Sequence, residues 1–387
     1  MSRADRRTPL HDVAIVGAYN TRQAKALDVS ELEVLFDAME GAVASANLSL
    51  ADIDGVNVTS STRRTNSREV VAWLGGRPSW TGVDIGIPGI VEAALAIAAG
   101  LCETVLMATA QVREYTDRAS TAPWTRPSNE FVECFGLHTP GEFALMARRH
   151  MHLYGTPPEA LAEVASAIRS NGARNPQAVH FGRPVTPDDV LRSRLIADPF
   201  HLLDCAMTSE GGGGLVLTRA DRARDLGVTP VHLLGAGSDR QGMAYVTAPV
   251  WDLYGQVGAR AAATAFAQAG LSPADIDVAE LYDPFSFEII RQLEVFGFCP
   301  PGEAADFVLD GQLRIDGSLP IDTDGGLMSF SHAGLVQLIQ KPIAAVRQLR
   351  GELPDELTVP GAVTAVASNG GSGALFTDVL VLGAEAP

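Results

Sequence analysis

Tyr282 and Asp283 stand side by side ahead of Pro284-Phe285, within the largely apolar stretch Leu271 to Cys299. A phenol, with an ordinary pKa of roughly 10, works as an acid or base near neutrality only when a neighbour lowers that value. A carboxylate beside it can orient it or accept a proton. His332 lies in the glycine-bounded loop Thr323–Gly334, and Ser368-Asn369-Gly370-Gly371-Ser372-Gly373 forms a second glycine-rich turn near the C-terminus. Other chemistries find less support. Cys102, Cys134, Cys205 and Cys299 are far apart and form no CxxC pair, which reads as reduced thiols and neither a disulfide framework nor a zinc site. His150 and His152 are two residues apart and so do not share a helix face. With His180 and His201 they read as packing or surface residues, and no metal site is expected. Gly211–Gly214 lacks the Lys-Ser/Thr of a phosphate loop and runs into an apolar segment, so close sheet packing explains it better.

The elements that must carry these residues follow from hydrophobic pattern. Asp12–Ala18 reads as a buried strand. Ser30–Ala46 reads as an amphipathic helix opened by a Ser30/Glu33 capping box, and Ile53–Val58 as a strand. This βαβ alternation predicts a parallel sheet covered by helices. Asp84–Gly100 is almost wholly apolar and reads as a helix buried at the centre of the molecule, followed by the strand Leu101–Ala110. Residues 111–199 break the rhythm and read as a loop excursion from the first half. Strands are expected at Leu215–Thr218, His232–Ser238, Val363–Ala367 and Ala374–Leu382. Helices are expected at Val250–Ala269, Phe285–Phe296 and Leu335–Leu349.

An internal repeat sets the organisation. Ala42–Asp54 (AVASANLSLADID) recurs as Ala265–Asp277 (AFAQAGLSPADID), with most of the window matching. A period that long marks a duplicated domain and not a solenoid, so the chain divides into residues 1–227 and 228–387, two similar α/β halves about a pseudo-twofold axis. The 387 residues are 46% hydrophobic, enough for a large core, and carry a net charge of -17, which argues against nucleic acid or an anionic membrane as partner. The polar, basic start MSRADRRTPLHD suggests no secretory signal, and no run reaches the roughly 18 apolar residues of a membrane span. A cytoplasmic setting is expected. Residues 113–194 hold ten arginines, no lysine and nine carboxylates, a segment suited to an anionic ligand or to a solvated surface of local ion pairs.

With these motifs on the page, the chain resembles the thiolase superfamily, in the branch of the sterol-carrier-protein thiolases and thiolase-like lipid-transfer proteins. The resemblance spans nearly the whole chain. It is carried by Leu153-Tyr154-Gly155-Thr156-Pro157-Pro158-Glu159, Asn175-Pro176-Gln177, Ser193-Arg194-Leu195-Ile196-Ala197-Asp198-Pro199 and Asp204-Cys205-Ala206-Met207-Thr208-Ser209-Glu210-Gly211. Tyr282-Asp283-Pro284-Phe285 stands where that branch has His-Asp-Cys-Phe, and Gly325-Gly326 through Ser331-His332 stands at its Gly-His-Pro loop. The fold implied is an α/β/α/β/α layered sandwich of two duplicated halves. A thiolase places a nucleophilic Cys at the start of the central helix, where the helix dipole favours the thiolate. Here that place falls at about Val83 or Asp84, and Ala367-Ser368-Asn369 stands where the second thiolase Cys would be.

The resemblance therefore implies chemistry without a covalent nucleophile, as in the thiolase-like steroid aldolases. The reaction would be retro-aldol cleavage of a bulky β-hydroxyacyl-CoA into a ketone or aldehyde and a short acyl-CoA. It implies Tyr282 as acid/base or as donor to the oxyanion, Asp283 to orient or accept a proton, and His332 to steady the thioester oxygen. Ser331 would be a hydrogen-bond donor to substrate, and Asn369, Gly370 and Gly371 would supply backbone amides near the thioester. No cofactor is implied beyond the coenzyme A of the substrate. The partners implied are a second copy, joined through the strand after the central helix, and a small OB-fold protein, often with a zinc ribbon. A non-catalytic acyl-CoA or sterol binder and an acyltransferase without the usual Cys are the alternatives.

Overall fold

The computed structural model describes residues 8–60, 65–113, 139–241, 251–371 and 375–387. Cys134 and Ser372–Gly373 lie outside the described residues. Among these, nine strands form one continuous sheet in the order β3-β2-β4-β5-β1-β6-β9-β8-β7. In chain order the first half comprises β1 (Val13–Asn20), α1 (Glu31–Ala44), β2 (Gly55–Ser60), α2 (Ser67–Trp73), β3 (Trp80–Thr81), α3 (Gly86–Ala98), β4 (Thr104–Gln111) and β5 (Gly211–Arg219). Helices α4 (Thr139–Tyr154) and α5 (Pro158–Arg174) lie in the excursion between β4 and β5. The second half comprises β6 (Val231–Arg240), α6 (Ala259–Ala269), β7 (Val278–Glu280), α7 (Ser286–Val295), α8 (Ala304–Leu309), α9 (Gln337–Leu349), β8 (Thr364–Gly371) and β9 (Phe376–Gly383).

The duplication is visible in hydrogen bonds. Ser49 opens a 3-10 turn in which Asp52 accepts from the Ser49 backbone at 2.9 Å, and Ser272 with Asp275 repeats the bond at 2.8 Å. The closing aspartate of each copy then ties the next strand. Asp54 accepts from the backbone of Glu103 and Thr104 ahead of β4, and Asp277 accepts from Val363 and Thr364 ahead of β8. The repeated LSxADID thus encodes a turn plus a clamp on the strand that pairs in parallel with the one the turn leads into. The halves meet where β1 pairs antiparallel with β6.

Three cores separate the layers. Ile87, Ile90 and Ile97 of α3 and Ile339, Ile343 and Val346 of α9 share the central core with the inward faces of the strands. The first half's outer face packs on α1. The second half's outer face packs on α6, α7 and α8 and also on α4 and α5, so the excursion leaves the first half and covers the second. This is the expected α/β/α/β/α order. Among the described residues no helix is long and apolar enough to cross a membrane.

Three readings are corrected. The sheet is mixed and not parallel, with β1 antiparallel to both β5 and β6, because β1 does not neighbour β2 in it. Val250–Ala269 does not form one helix: a short turn at Trp251–Tyr254 ends before α6, and Gly258 between them takes φ +109. The strand after the central helix has no free edge to pair with a second copy, because β4 is hydrogen-bonded on both sides, to β2 and to β5. The free edge of that half is the two-residue β3.

Candidate active site

The central helix begins at Gly86, later in the chain than the Val83 or Asp84 expected from counting. The backbone N–H groups of Val83 and Asp84 instead donate to Glu92 ahead of the helix. The correction strengthens the conclusion. Gly86 has φ +67, and a Cβ placed there would lie 2.6 Å from Asn369 Oδ1 and 3.0 Å from Leu338 Cβ. The place of a helix-start nucleophile therefore has no side chain and no room for one. Asn369 fills it, with Oδ1 accepting the Ile87 N–H at 2.9 Å and Nδ2 donating to the Ser368 carbonyl. Substituting Gly86 with Ala or Cys should cost about 2–4 kcal/mol, the sum of a left-handed backbone penalty and overpacking. Denaturant midpoints check this, and a Gly86→Cys variant as stable as the parent would contradict it.

The described thiols do not replace it. Cys102, Cys205 and Cys299 are free, and burial pushes each thiol up to about 12, so each stays protonated at neutral pH and is a poor nucleophile. Ser368, in the second thiolase position, is fully buried. It accepts from the Tyr282 backbone at 2.8 Å and donates to Gln292 Oε1 at 2.5 Å.

Tyr282 follows the end of β7. Gln292 on α7 donates to its carbonyl at 2.7 Å, closing a ring of bonds through Ser368. A Cβ at Gly370 would lie 2.6 Å from the Tyr282 ring, and one at Gly371 would lie 2.6 Å from the Phe376 ring, so both positions need glycine for these aromatics to pack. The structure thus brings Tyr282, Asn369, Gly370 and the N-terminus of α3 to one place.

Asp283 is fully buried and spent. Oδ1 meets Lys341 Nζ at 2.6 Å and the Leu327 N–H at 2.8 Å, and Oδ2 takes the Met328 N–H at 3.1 Å. Of the two roles expected for it, the geometry gives the orienting one: it pins the turn Gly326–Phe330 that leads to His332. Lys341 also meets Asp322 at 2.6 Å, and Asp322 accepts from the Leu281 N–H at 2.9 Å. One buried lysine therefore locks the strand end before Tyr282 to the loop before His332. Helix α5 holds the same loop from outside: Asn171 donates to the Ile321 and Asp322 carbonyls and Asn175 to that of Asp324.

His332 is half-buried, with its backbone N–H on Ser209 Oγ at 2.7 Å. Burial lowers its imidazole to about 4, the Met207 carbonyl opposing this and the Lys341 charge adding to it. The ring is therefore neutral at pH 7, a form that can polarise a carbonyl as a hydrogen-bond donor. Ser331 is bonded within the protein. It is fully buried, its hydroxyl shared with Ser209 Oγ at 2.8 Å and donating to Gln23 Oε1 at 2.7 Å, so its expected role as a substrate donor is replaced by a structural one.

The remaining histidines behave as packing groups where their contacts are visible. His150 is fully buried between Glu294 at 3.0 Å and Thr156 at 2.9 Å, and Arg169 donates to His180 at 3.2 Å. Among the described residues no group of three or more His, Cys, Asp or Glu is placed to hold a metal ion.

Two features escaped the sequence. Lys341 is one of only two lysines, the other being Lys25, and that rarity beside four acidic positions at 280–283 and 322–324 was a usable signal. Glu142 is almost wholly buried, and among the described residues neither carboxylate oxygen is hydrogen-bonded. A single acidic residue in the first turn of an amphipathic helix gives no such hint.

Residues 247–384 match the family described as thiolase C-terminal domain-like. The steroid side-chain-cleaving aldolase of Thermomonospora curvata is 36% identical, over 96% of this chain and 98% of that protein. The 17-hydroxy-3-oxo-4-pregnene-20-carboxyl-CoA lyase of Mycobacterium tuberculosis is 36% identical, over 87% of this chain and 91% of that protein. Among solved structures, an Ltp2-ChsH2(DUF35) aldolase superposes with a TM-score of 0.83 at 33% identity, over 96% of this chain and 98% of that one.

Proposed function

This chain belongs to the thiolase superfamily, in the branch of the sterol-carrier-protein thiolases, and from that premise we propose that it is a carbon–carbon lyase. Its reaction is the retro-aldol cleavage of a bulky β-hydroxyacyl-CoA, a steroid side-chain thioester, into a ketone or aldehyde and a short acyl-CoA. The observation that carries the reading is Gly86: the position from which a helix-start thiolate would act has no side chain, and Asn369 occupies its space. A retro-aldol step needs no such nucleophile. It needs a base for the β-hydroxyl, donors for the thioester enolate and a proton for Cα.

In this reading Tyr282 donates to the developing enolate oxygen, neutral His332 steadies the thioester oxygen, and the backbone of Asn369, Gly370 and Gly371 lines the thioester. Asp283 acts as a positioning residue through the Leu327 and Met328 amides. No cofactor is required beyond the coenzyme A of the substrate, and the setting is cytoplasmic. The chain works as a homodimer built on the β3 edge, next to the highly exposed Val83. It recruits a small OB-fold partner, often bearing a zinc ribbon, that completes the acyl-CoA site. The naming of a second component in the structurally similar aldolase supports that partner.

The test is an assay of the chain alone and with a co-expressed OB-fold partner, given a steroid β-hydroxyacyl-CoA and, separately, a β-ketoacyl-CoA with free coenzyme A. Cleavage of the first and no thiolysis of the second are expected, with full rate only in the complex. Thiolysis without cleavage would overturn the lyase assignment, and full activity of the isolated chain would overturn the partner.

A further inference from the structure

Glu142 sits in the first turn of α4, 1% exposed, and among the described residues neither of its carboxylate oxygens has a hydrogen-bond partner. Leaving a buried carboxyl unsatisfied costs free energy, and such a group in a native fold calls for a reason, a catalytic role among them. Its place in the fold points to what that is. The neighbouring Phe143 ring lies 4.9 Å from the Phe285 ring, which also stacks on Phe200 at 5.0 Å. Phe285 closes the turn that begins at Tyr282, so the first turn of α4 backs directly onto the segment that presents the candidate phenol. Burial alone lifts the Glu142 carboxyl to about 7, the range in which a base works best at neutral pH.

The other groups near this segment are committed. Both oxygens of Asp283 are bonded. Asp204 takes the Ser286 hydroxyl on one oxygen and the His201 N–H on the other. His332 is held far below neutrality.

Resting on the lyase reading, we propose that Glu142 is the base that accepts the proton of the substrate's β-hydroxyl. The O–H bond breaks and its proton passes to the Glu142 carboxylate. The oxygen's electron pair closes the new carbonyl as the Cα–Cβ pair moves into the thioester enolate. One proton returns to Cα and Glu142 ends as the carboxylate, so no oxidant, reductant or co-reactant is consumed.

Glu142→Gln and Glu142→Asp variants of the partner-bound protein test this, assayed with a steroid β-hydroxyacyl-CoA across pH 5–9. In Glu142→Gln, kcat should fall by about 100-fold or more with KM little changed, and the acidic limb of the wild-type rate profile, near pH 7, should vanish. Glu142→Asp should recover part of the rate. The thermal midpoint of Glu142→Gln at pH 8 should equal or exceed that of the wild type, since the variant no longer buries an unpaired charge. A Glu142→Gln variant that cleaves within threefold of wild type with the acidic limb intact would overturn this assignment and leave the lyase reading standing. A variant that loses activity only together with substrate binding and thermal stability would also overturn it. Absence of cleavage by the wild-type complex would overturn both.

Discussion

Replacing Lys341 with methionine is expected to lower the stability of the fold by about 3–5 kcal/mol, the range for removing one partner of a buried ion pair. Lys341 is 2% exposed and meets Asp283 and Asp322 at 2.6 Å each. Asp324 and Glu280 are buried beside them, and Asp324 caps the Gly326 N–H at 2.8 Å. Burial depresses the lysine's proton affinity, but the four carboxylates outweigh it and hold Lys341 above its ordinary range. One positive charge cannot balance four negative ones. Burial accordingly raises all four carboxyls, Asp322 well above its usual value and Glu280 to about 7. Without the lysine this acidic cluster loses its only ion-pair partner among the described residues.

The pH dependence has a definite sign. A carboxyl whose folded pKa is raised binds its proton more tightly in the folded state. Its stabilising contribution is complete below the unfolded value, 4.5 for Glu280, and is lost as pH climbs through about 7. Stability should therefore decline over that window in the wild type. The decline should steepen in Lys341→Met and flatten in Glu280→Gln. Urea midpoints at pH 5, 6, 7 and 8 measure all three. A Lys341→Met variant whose midpoint matches the wild type at pH 8 would contradict this account of the cluster.

Tyr282→Phe is expected to reduce kcat by about 10²–10³-fold, the range for losing one donor to a developing oxyanion. The fold should change little. The backbone N–H of Tyr282 stays on Ser368 and its carbonyl on Gln292, and the phenyl ring keeps its seat over Gly370. Loss of the hydroxyl's own hydrogen bonding costs about 0.5–1.5 kcal/mol. Steady-state kinetics with a thermal melt separate the two effects. A phenylalanine variant with near wild-type kcat would move the enolate contact to His332 and the backbone amides.

The large-scale architecture was readable because its signals are local. The capping-box residues Ser49/Asp52 and Ser272/Asp275 repeat the same turn chemistry, and the apolar run of α3 can only be central. Boundaries were less legible where local signals are weak. Helix α3 opens on Ile85, which provides no side-chain cap, so the count back to its first residue overshot Gly86. Gly255 and Gly258 broke the expected helix Val250–Ala269, which its apolar periodicity alone does not reveal.

At the site, residue types were legible but not their commitments. Tyr282, Asp283 and His332 could be singled out as a polar set. That Asp283 is consumed by Lys341 and two amides, and Ser331 by Ser209 and Gln23, depends on partners up to 308 residues away in sequence. Glu142 was invisible for the converse reason: its significance is the lack of a hydrogen-bond partner among the described residues, which no local pattern encodes.

The central claim is that a carbon–carbon bond is broken without an acyl-enzyme. The most direct measurement incubates the partner-bound protein with a steroid β-hydroxyacyl-CoA in deuterated water and follows small molecules and intact protein by mass spectrometry. The account predicts release of the ketone or aldehyde together with a short acyl-CoA carrying one solvent deuterium at Cα, while the protein gains no acyl adduct throughout turnover. Cleavage accompanied by an acyl adduct on the protein, or an unconsumed substrate, would contradict it.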